Sequence, residues 1–449
     1  MDTKLFGTDG IRGRANEYPI TPEVALRLGR AVARCLNARD KARHKVVIGK
    51  DTRVSGYMLE TALTSGLVSE GARVLLTGPV PTPAVAHLTR SMACDAGIML
   101  TASHNPYEDN GIKIFGPDGY KLPDELERRV EKIILDEEPA TGSGRIGKAF
   151  RIDDAVGRYI EYAKNAAGAC NLKGKKVVVD CANGAGYFVG PLIFEELGAE
   201  VLKLGIDPDG RNINENCGAL HFEGAAELTL AQSADLGVCL DGDADRLILV
   251  DEKGRKVSGD RMLCFCAKAL REEGKLRRDT LVTTIMSNLG LRDSLAADGI
   301  AMETTGVGDR LVLERMKEGG YSLGGENSGH VIFADHSTTG DGIMSALMVL
   351  SIMQRTGRPL SELADCMEEY PQENRDLPVA EKKPLEEVPD LLAAVNEAES
   401  SLGEDGRVLV RYSGTESKLR VLVEAKDADA AKRHGDRIVE TAQRLLGAA

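Results

Sequence analysis

Short apolar runs, each ending at a polar loop that contains glycine, recur along most of this 449-residue chain. Lys45-Val-Val-Ile-Gly-Lys50, Ala96-Gly-Ile-Met-Leu100, Lys175-Lys-Val-Val-Val-Asp180 and Leu236-Gly-Val-Cys-Leu240 are four of them. Such runs read as buried strands. Helical stretches separate them. Thr21-Pro22-Glu23 opens one, with Thr as N-cap and Pro in the first turn, and Pro79-Val-Pro-Thr-Pro83 opens another. This β-α-β-α rhythm predicts α/β units built on mainly parallel sheets covered by helices.

The length is too great for one ordinary core and suggests three or four domains. The rhythm divides the chain into α/β domains over residues 1–150, 151–250 and 251–372. Glu137-Glu-Pro-Ala-Thr-Gly-Ser-Gly144 reads as the linker after the first. Each ends in a polar loop, which suggests a threefold structural repeat, although no sequence self-similarity accompanies it. Over residues 373–449 the pattern changes. An acidic helix over 384–401 precedes two alternating strands, Arg407-Val-Leu-Val-Arg-Tyr412 and Lys418-Leu-Arg-Val-Leu-Val-Glu424, and a helix over 430–446 closes the chain. That is a small α+β domain.

Bulk properties exclude several classes of function. The net charge, 57 − 70 = −13, disfavours nucleic acid and anionic membranes as general partners. There is no Trp, and aromatics make up 4% of the chain, too few for stacking platforms on single strands. No apolar run approaches the ~20 residues that span a bilayer, and the first residues lack the pattern of a secretory signal. Nine Cys without regular spacing predict reduced thiols and a cytoplasmic protein.

Four loops carry chemistry. Thr101-Ala-Ser-His-Asn-Pro106 puts Ser103 and His104 at a strand end, with Lys113 ten residues from Ser103. Ser103 is a candidate nucleophile, or it caps an Asn-Pro turn. Asp241-Gly-Asp-Ala-Asp-Arg246 turns three carboxylates the same way in an extended loop. Convergent like charges call for a counter-ion, and hard oxygens suit Mg²⁺. A solvated acidic turn is the plain alternative. An EF-hand is excluded by Arg246 where that loop needs Gly. Glu326, Ser328 and His330 alternate along a Gly-rich loop, suited to sugar hydroxyls and proton transfer, or to a structural turn with a core-facing His. Ser413-Gly-Thr-Glu-Ser417 joins two strands whose alternation turns Arg411 and Arg420 away from the buried face, forming a phosphate dock or an ordinary polar hairpin tip. Arg12 and Lys113 can neutralise phosphate, or are surface charges.

Taken together and in order, Phe6-Gly-Thr-Asp-Gly-Ile-Arg-Gly13, Ile48-Gly-Lys-Asp-Thr-Arg-Val-Ser-Gly-Tyr-Met-Leu-Glu60, Ala102-Ser-His-Asn-Pro106, Asp241-Gly-Asp-Ala-Asp-Arg246, Gly325-Glu-Asn-Ser-Gly-His330 and Ser413-Gly-Thr-Glu416 resemble the α-D-phosphohexomutase superfamily. The segment over 50–60, Val307-Gly-Asp-Arg310 and Thr338-Thr-Gly-Asp-Gly342 resemble its amino-sugar branch. The resemblance implies a four-domain, heart-shaped architecture of three α/β domains and a small C-terminal α+β domain. It implies catalytic roles for Ser103, His104, Lys113, Arg246 and His330. Mg²⁺ would be held by Ser103, Asp241, Asp243 and Asp245, and substrate by Arg12, Glu326, Ser328, Arg411, Ser413, Gly414, Thr415 and Arg420.

The implied reaction is that of an isomerase acting as an intramolecular phosphotransferase. Phosphorylated Ser103 donates to O1 of glucosamine 6-phosphate, the bisphosphate turns over, and its 6-phosphoryl returns to Ser103. Glucosamine or glucose 1,6-bisphosphate is the activator, and the product feeds UDP-N-acetylglucosamine and peptidoglycan synthesis. The resemblance further implies a homodimer acting on small sugar phosphates. The same site in a phosphomannomutase or phosphoglucomutase takes another sugar, and a binder that kept the fold without catalysis is a further alternative. Either Lys113 or His330 serves as the base. The chain departs from the family at Ser417, where Pro is usual, and at Tyr412.

Overall fold

The computed structural model describes residues 5–7, 9–37, 44–136, 146–168, 170–413 and 417–447. The proposed linker over 137–144 lies outside them. The chain forms two compact units, one of residues 1–286 and 298–366, the other of residues 287–297 and 367–449.

The first unit contains three sheets. Strands β1 (Ile11–Arg14), β2 (Lys45–Lys50), β3 (Arg73–Pro79), β4 (Ala96–Leu100), β5 (Asp109–Phe115) and β6 (Lys148–Arg151) make a sheet of order β1-β5-β4-β2-β3-β6. β7 (Lys176–Asp180), β8 (Glu200–Leu204), β9 (Leu236–Leu240), β10 (Leu247–Asp251) and β11 (Lys256–Val257) make a second, of order β11-β10-β9-β7-β8. β12 (Thr280–Thr284), β13 (Ala301–Thr305), β14 (Leu323–Gly325) and β15 (Val331–Phe333) make a third, of order β13-β12-β14-β15.

The sheets are mixed: parallel pairings form the core of each, as expected, and antiparallel pairings gather at one side. In each, a parallel core ends in one strand that folds straight back as an antiparallel hairpin. β4 pairs antiparallel with β5, β9 with β10, and β14 with β15. The three polar loops of the first unit are the tips of these hairpins. A short connection between sequential strands permits only antiparallel return, whereas parallel pairs need a long crossover. The threefold repeat is therefore one of topology.

Local signals are obeyed where they are strong. The helix Pro22–Asn37 starts where Thr-Pro-Glu stands, and Val24 N–H donates to Thr21 Oγ1 at 3.3 Å. All five residues of β4 and all five of β9 are buried, as apolar runs between covering layers must be. The helix Gly342–Thr356 is capped by Asp341, which accepts from Met344 N–H at 2.9 Å and from Tyr159 Oη–H at 2.8 Å.

The second unit holds an antiparallel sheet of order β16-β18-β17, from β16 (Gln372–Pro378), β17 (Gly406–Tyr412) and β18 (Lys418–Ala425). β16 is not among the expected strands. Its sequence, Gln-Glu-Asn-Arg-Asp-Leu-Pro, lacks apolar alternation because it is exposed along most of its length, with Leu377 its one buried residue. The acidic helix is shorter than expected, Pro389–Leu402, with Pro at its start. Val408, Leu419, Val421 and Val423 pack against Leu391, Ala394 and Ile438. The helix Leu289–Ala297, between β12 and β13 in sequence, belongs to this unit.

Candidate active site

Ser103 lies at the tip of the β4–β5 hairpin. Its side chain is buried, and Oγ–H donates to Asp241 Oδ2 at 2.6 Å. His104 Nδ1 is 3.5 Å from the same oxygen Oγ. Burial, with the nearby Arg246 and Arg12 guanidiniums, pushes the His104 imidazole down to about 4. His104 is therefore a neutral neighbour of the hydroxyl at neutral pH.

Asp241, Asp243 and Asp245 occupy the tip of the β9–β10 hairpin, and their oxygens lie within 4.8 Å of one another. Burial and the charges of Asp245 and Asp243 push the Asp241 carboxyl well up, against the pull of Arg246 and the Ser103 hydroxyl. Asp243 is treated differently. Burial would raise it too, but the Lys113 ammonium and the Thr82 hydroxyl outweigh burial and hold it low. Lys113 Nζ lies 2.9 Å from Asp243 Oδ2, 3.0 Å from Asp245 Oδ2 and 3.3 Å from Asp9 Oδ2. Thr82 Oγ1–H donates to Asp243 Oδ2 at 2.6 Å.

The cluster fits a metal ion. Its donors are hard carboxylate oxygens, and Asp243 Oδ1 and Asp245 Oδ1 are buried with no hydrogen-bond partner among the described residues. Two arginine atoms beside it, Arg12 Nε and Arg246 Nε, are likewise buried and without a hydrogen-bond acceptor. Acceptor-seeking cations beside a metal-competent cluster are suited to a phosphoryl group.

The third hairpin tip brings Glu326, Ser328 and His330 to the same unit. Gly329 fixes its approach to the acidic loop. Leu247 N–H donates to Gly329 O at 3.0 Å, and a Cβ on Gly329, whose φ is 92°, would lie 2.1 Å from Leu247 O. Arg246 feels the charges of both Asp241 and Glu326. Glu326 Oε1 accepts from Gly308 N–H at 3.2 Å. Ser328 Oγ and both ring nitrogens of His330 have no hydrogen-bond partner among the described residues, while His330 Nε2 stands 3.5 Å from Asp309 Oδ2.

A chain of alternating charge runs from the acidic loop to this imidazole. Lys113 faces Asp9, Asp9 faces Lys121 and Arg12, and Lys121 donates to Asp309 Oδ2 at 2.6 Å. Burial would push the Asp9 and Asp309 carboxyls up. Lys113, Lys121 and Arg12 outweigh it at Asp9, and Lys121 and His330 at Asp309, so both are held low.

In the second unit Arg411 and Arg420 stand directly opposite each other across β17 and β18. Like charges so paired destabilise a sheet; Asp376, opposite Arg420 on β16 with Oδ1 3.8 Å from its Nε, offsets part of that charge. Ser413 is buried at the start of the loop, and its carbonyl accepts from Lys382 Nζ at 2.6 Å. Gly414 and Thr415 lie outside the described residues.

Sequence reasoning singled out no role for Asp9, Arg53, Thr82, Lys121, Asn214, Asp309 or Lys382. Asp9, Arg53 and Asp309 sit inside segments quoted for the resemblance, so a question about which charge each one faces would have reached them. Thr82, Lys121, Asn214 and Lys382 carry no local signal, because their partners are distant in sequence.

Profiles of the phosphoglucomutase/phosphomannomutase family match four successive stretches. They are alpha/beta/alpha domain I over residues 3–141, domain II over 157–254, domain III over 258–370, and the C-terminal domain over 376–441. The phosphoglucosamine mutase of Pelobacter propionicus is 51% identical over 449 residues, covering 99% of each chain. That of Cereibacter sphaeroides is 54% identical over 428 residues, covering 95% of this chain and 96% of its own. Among solved structures, a phosphoglucomutase/phosphomannomutase family protein from Burkholderia thailandensis superimposes with a TM-score of 0.81 at 25% identity, covering 99% of this chain and 98% of its own. The N-acetylphosphoglucosamine mutase of Aspergillus fumigatus, in complex with GlcNAc-6P and magnesium, shares the fold with a TM-score of 0.68 at 18% identity, covering 98% and 96%.

Proposed function

The chain belongs to the phosphoglucomutase/phosphomannomutase family, and from that premise we propose that it interconverts glucosamine 6-phosphate and glucosamine 1-phosphate through a phosphoryl group carried on Ser103. One observation carries the chemistry. A buried serine hydroxyl lies 2.6 Å from a carboxylate of a three-carboxylate cluster. The full-length relatives named for glucosamine support the choice of sugar. The activity is that of an isomerase, and its product is a precursor for UDP-N-acetylglucosamine.

Asp241, Asp243 and Asp245, with an oxygen of the phosphorylated Ser103, are the residues to hold Mg²⁺. When bound, the ion neutralises charge on the transferring phosphoryl group. The protein's own groups do the rest. Phosphoryl transfer needs alignment and charge neutralisation more than it needs new covalent chemistry. Arg246 and Arg12 supply positive charge beside Ser103. Lys113 does so as well, because its ammonium already faces Asp243, Asp245 and Asp9 and has no lone pair to offer. His330, with open ring nitrogens and Asp309 beside it, is the group to move a proton at the sugar hydroxyl. Glu326 and Ser328 bind sugar hydroxyls. Arg411, Ser413, Gly414, Thr415 and Arg420 bind the phosphate that is not transferred. The 6-phosphoryl of the bisphosphate intermediate returns to Ser103, and glucosamine or glucose 1,6-bisphosphate primes the serine. The cytoplasm is the compartment we propose. The nine cysteines form no disulfide, in keeping with a reducing compartment, and among the described residues no helix is long and apolar enough to cross a membrane.

The test is ³¹P NMR of glucosamine 6-phosphate with Mg²⁺ and a catalytic amount of hexose 1,6-bisphosphate, beside Ser103→Ala. Conversion by the wild type and its loss in the variant are expected. Conversion of mannose or glucose 6-phosphate in preference would overturn the sugar assignment, and conversion undiminished in Ser103→Ala would overturn the phosphoserine.

A further inference from the structure

Ser103 is held in a conformation that its own loop does little to secure. Its φ is 52°, in the left-handed region that non-glycine residues avoid. Within the loop, its N–H donates to Thr101 Oγ1 at 2.9 Å. The carbonyl side is gripped by two residues from distant parts of the chain.

Arg53 is fully buried. Its Nη2 donates to Ser103 O at 3.0 Å and to Asn105 O at 2.8 Å. Nη1 donates to Asp109 O at 3.0 Å and to Pro106 O, and Nε is anchored on Asp51 Oδ2 at 2.8 Å. Asn214 comes from the connection between β8 and β9. Its Nδ2 donates to the same two carbonyls, Ser103 O at 2.9 Å and Asn105 O at 3.0 Å. Gly242 closes the arrangement from the acidic loop: a Cβ there would lie 2.5 Å from Ser103 O and 2.9 Å from Asn214 Nδ2.

We infer that Asn214 and Arg53 are positioning residues for phosphoryl transfer at Ser103, clamping the Ser103 and Asn105 carbonyls so that Oγ faces the acidic loop. This rests on the reading of Ser103 as the phosphoryl carrier. A peptide unit is planar, so fixing its carbonyl fixes the backbone from which the serine side chain springs. An amide nitrogen carries two hydrogens, one for each carbonyl, which a carboxylate at the same position lacks. Arg53 lies in the stretch that carries the serine loop, whereas Asn214 lies in the stretch that carries the acidic loop. Thr82 and Lys113 already tie the two stretches together at Asp243; Asn214 adds a tie to the backbone of the serine itself.

The test uses the full chain with Mg²⁺, comparing wild type with Asn214→Ala, Asn214→Asp, Asn214→Ser and Arg53→Lys. Rapid-quench mass spectrometry reads phosphoryl uptake at Ser103 from glucose 1,6-bisphosphate, and steady-state kinetics reads kcat and KM. For Asn214→Ala, uptake and kcat should fall together by about 10- to 100-fold, the scale of a misaligned reacting atom, with KM little changed. Asn214→Asp should be slower still. Asn214→Ser, with one hydrogen to donate, should lie between wild type and Ala; it keeps the test open if the loss of a buried guanidinium hinders folding of the Arg53 variant. Unchanged kcat in folded Asn214→Ala, or a raised KM at unchanged kcat, would overturn the clamp. Wild type that takes up phosphoryl but leaves glucosamine 6-phosphate untouched would sink the sugar assignment alone, and uptake rates would still judge the clamp. Wild type that takes up none would remove the phosphoserine reading, and this inference with it.

Discussion

Lys113 and Asp243 form a buried ion pair, Nζ to Oδ2 at 2.9 Å, inside a cluster that also contains two further carboxylates. Breaking a buried pair by removing one partner typically costs about 3–5 kcal/mol, because the other charge is left uncompensated. Lys113→Met should therefore lose stability on that scale in the absence of divalent metal. Mg²⁺ should restore more of the melting temperature to the variant than it adds to wild type. Equal Mg²⁺ shifts in differential scanning fluorimetry would show that the ammonium and the metal do not balance the same carboxylates.

Metal binding should itself stabilise the protein. A ligand at a hundredfold excess over its Kd adds about 2.7 kcal/mol to the folded state. Mg²⁺ should raise the wild-type melting temperature, EDTA should reverse the rise, and Asp245→Asn should abolish it. A rise that survives in Asp245→Asn would locate the ion elsewhere.

The approach of the third hairpin to the acidic loop depends on Gly329, whose added Cβ would meet Leu247 O at 2.1 Å. Gly329→Ala must displace the tip that carries Glu326 and Ser328. We expect KM for the sugar phosphate to rise by roughly tenfold, about 1.4 kcal/mol of binding, with Ser103 phosphorylation by bisphosphate retained. Unaltered KM would mean that the tip does not grip the sugar.

Acid sensitivity should have a contribution from His87. Its ring stacks on Tyr162 with centroids 3.9 Å apart. Burial, then Arg90 and Arg158, pushes its imidazole down to about 4, from an ordinary 6.5. Between those values the unfolded chain binds the proton and the folded chain does not, so stability rises with pH and is lost on acidification. His87→Phe keeps a stacked ring and removes this contribution. Its melting temperature should fall less than that of wild type as pH drops from 6.5 to about 4; parallel curves would refute the assignment.

Glu424 is completely buried and accepts from Arg407 Nε at 2.7 Å and from Leu289 N–H at 2.7 Å. Arg407→Met removes its cationic partner. A loss of about 3–5 kcal/mol is expected for the second unit, seen as faster amide exchange over residues 406–425. Protection equal to wild type would mean that the backbone amide alone satisfies the carboxylate.

Much of this was legible in the chain. The apolar runs located β2, β4, β7 and β9, because a strand covered on both faces needs no partner to announce itself. The loops that follow β4, β9, β14 and β17 stood out through residue types that a packed turn does not require. What stayed hidden depends on partners far away. That the loops after β4, β9 and β14 tip hairpins follows from strand order, which local pattern does not encode; the loop after β17 was read as a hairpin from its flanking alternation. β16 was invisible because only Leu377 of its residues is buried, which leaves no apolar alternation to read. Arg53 could be seen but not interpreted, since its acceptors are carbonyls contributed by any residue type. Asn214 carried no signal at all, as one asparagine among several in a loop.

The helix Leu289–Ala297 is made between two strands of one compact unit and is part of the other. Its first amide reaches Glu424, and Asn288 pairs with Tyr370 through Nδ2 to O at 3.0 Å and Oδ1 from N–H at 2.9 Å. Neither unit is thus a continuous piece of chain. On the ribosome the helix emerges well before the sheet it serves and must wait for β18 to be synthesised. A gene fragment beginning at Met367 would encode a sheet deprived of that helix, and the complementary fragment would trail a helix with nothing to serve. Dissection of this protein by truncation at that point would therefore disable both parts.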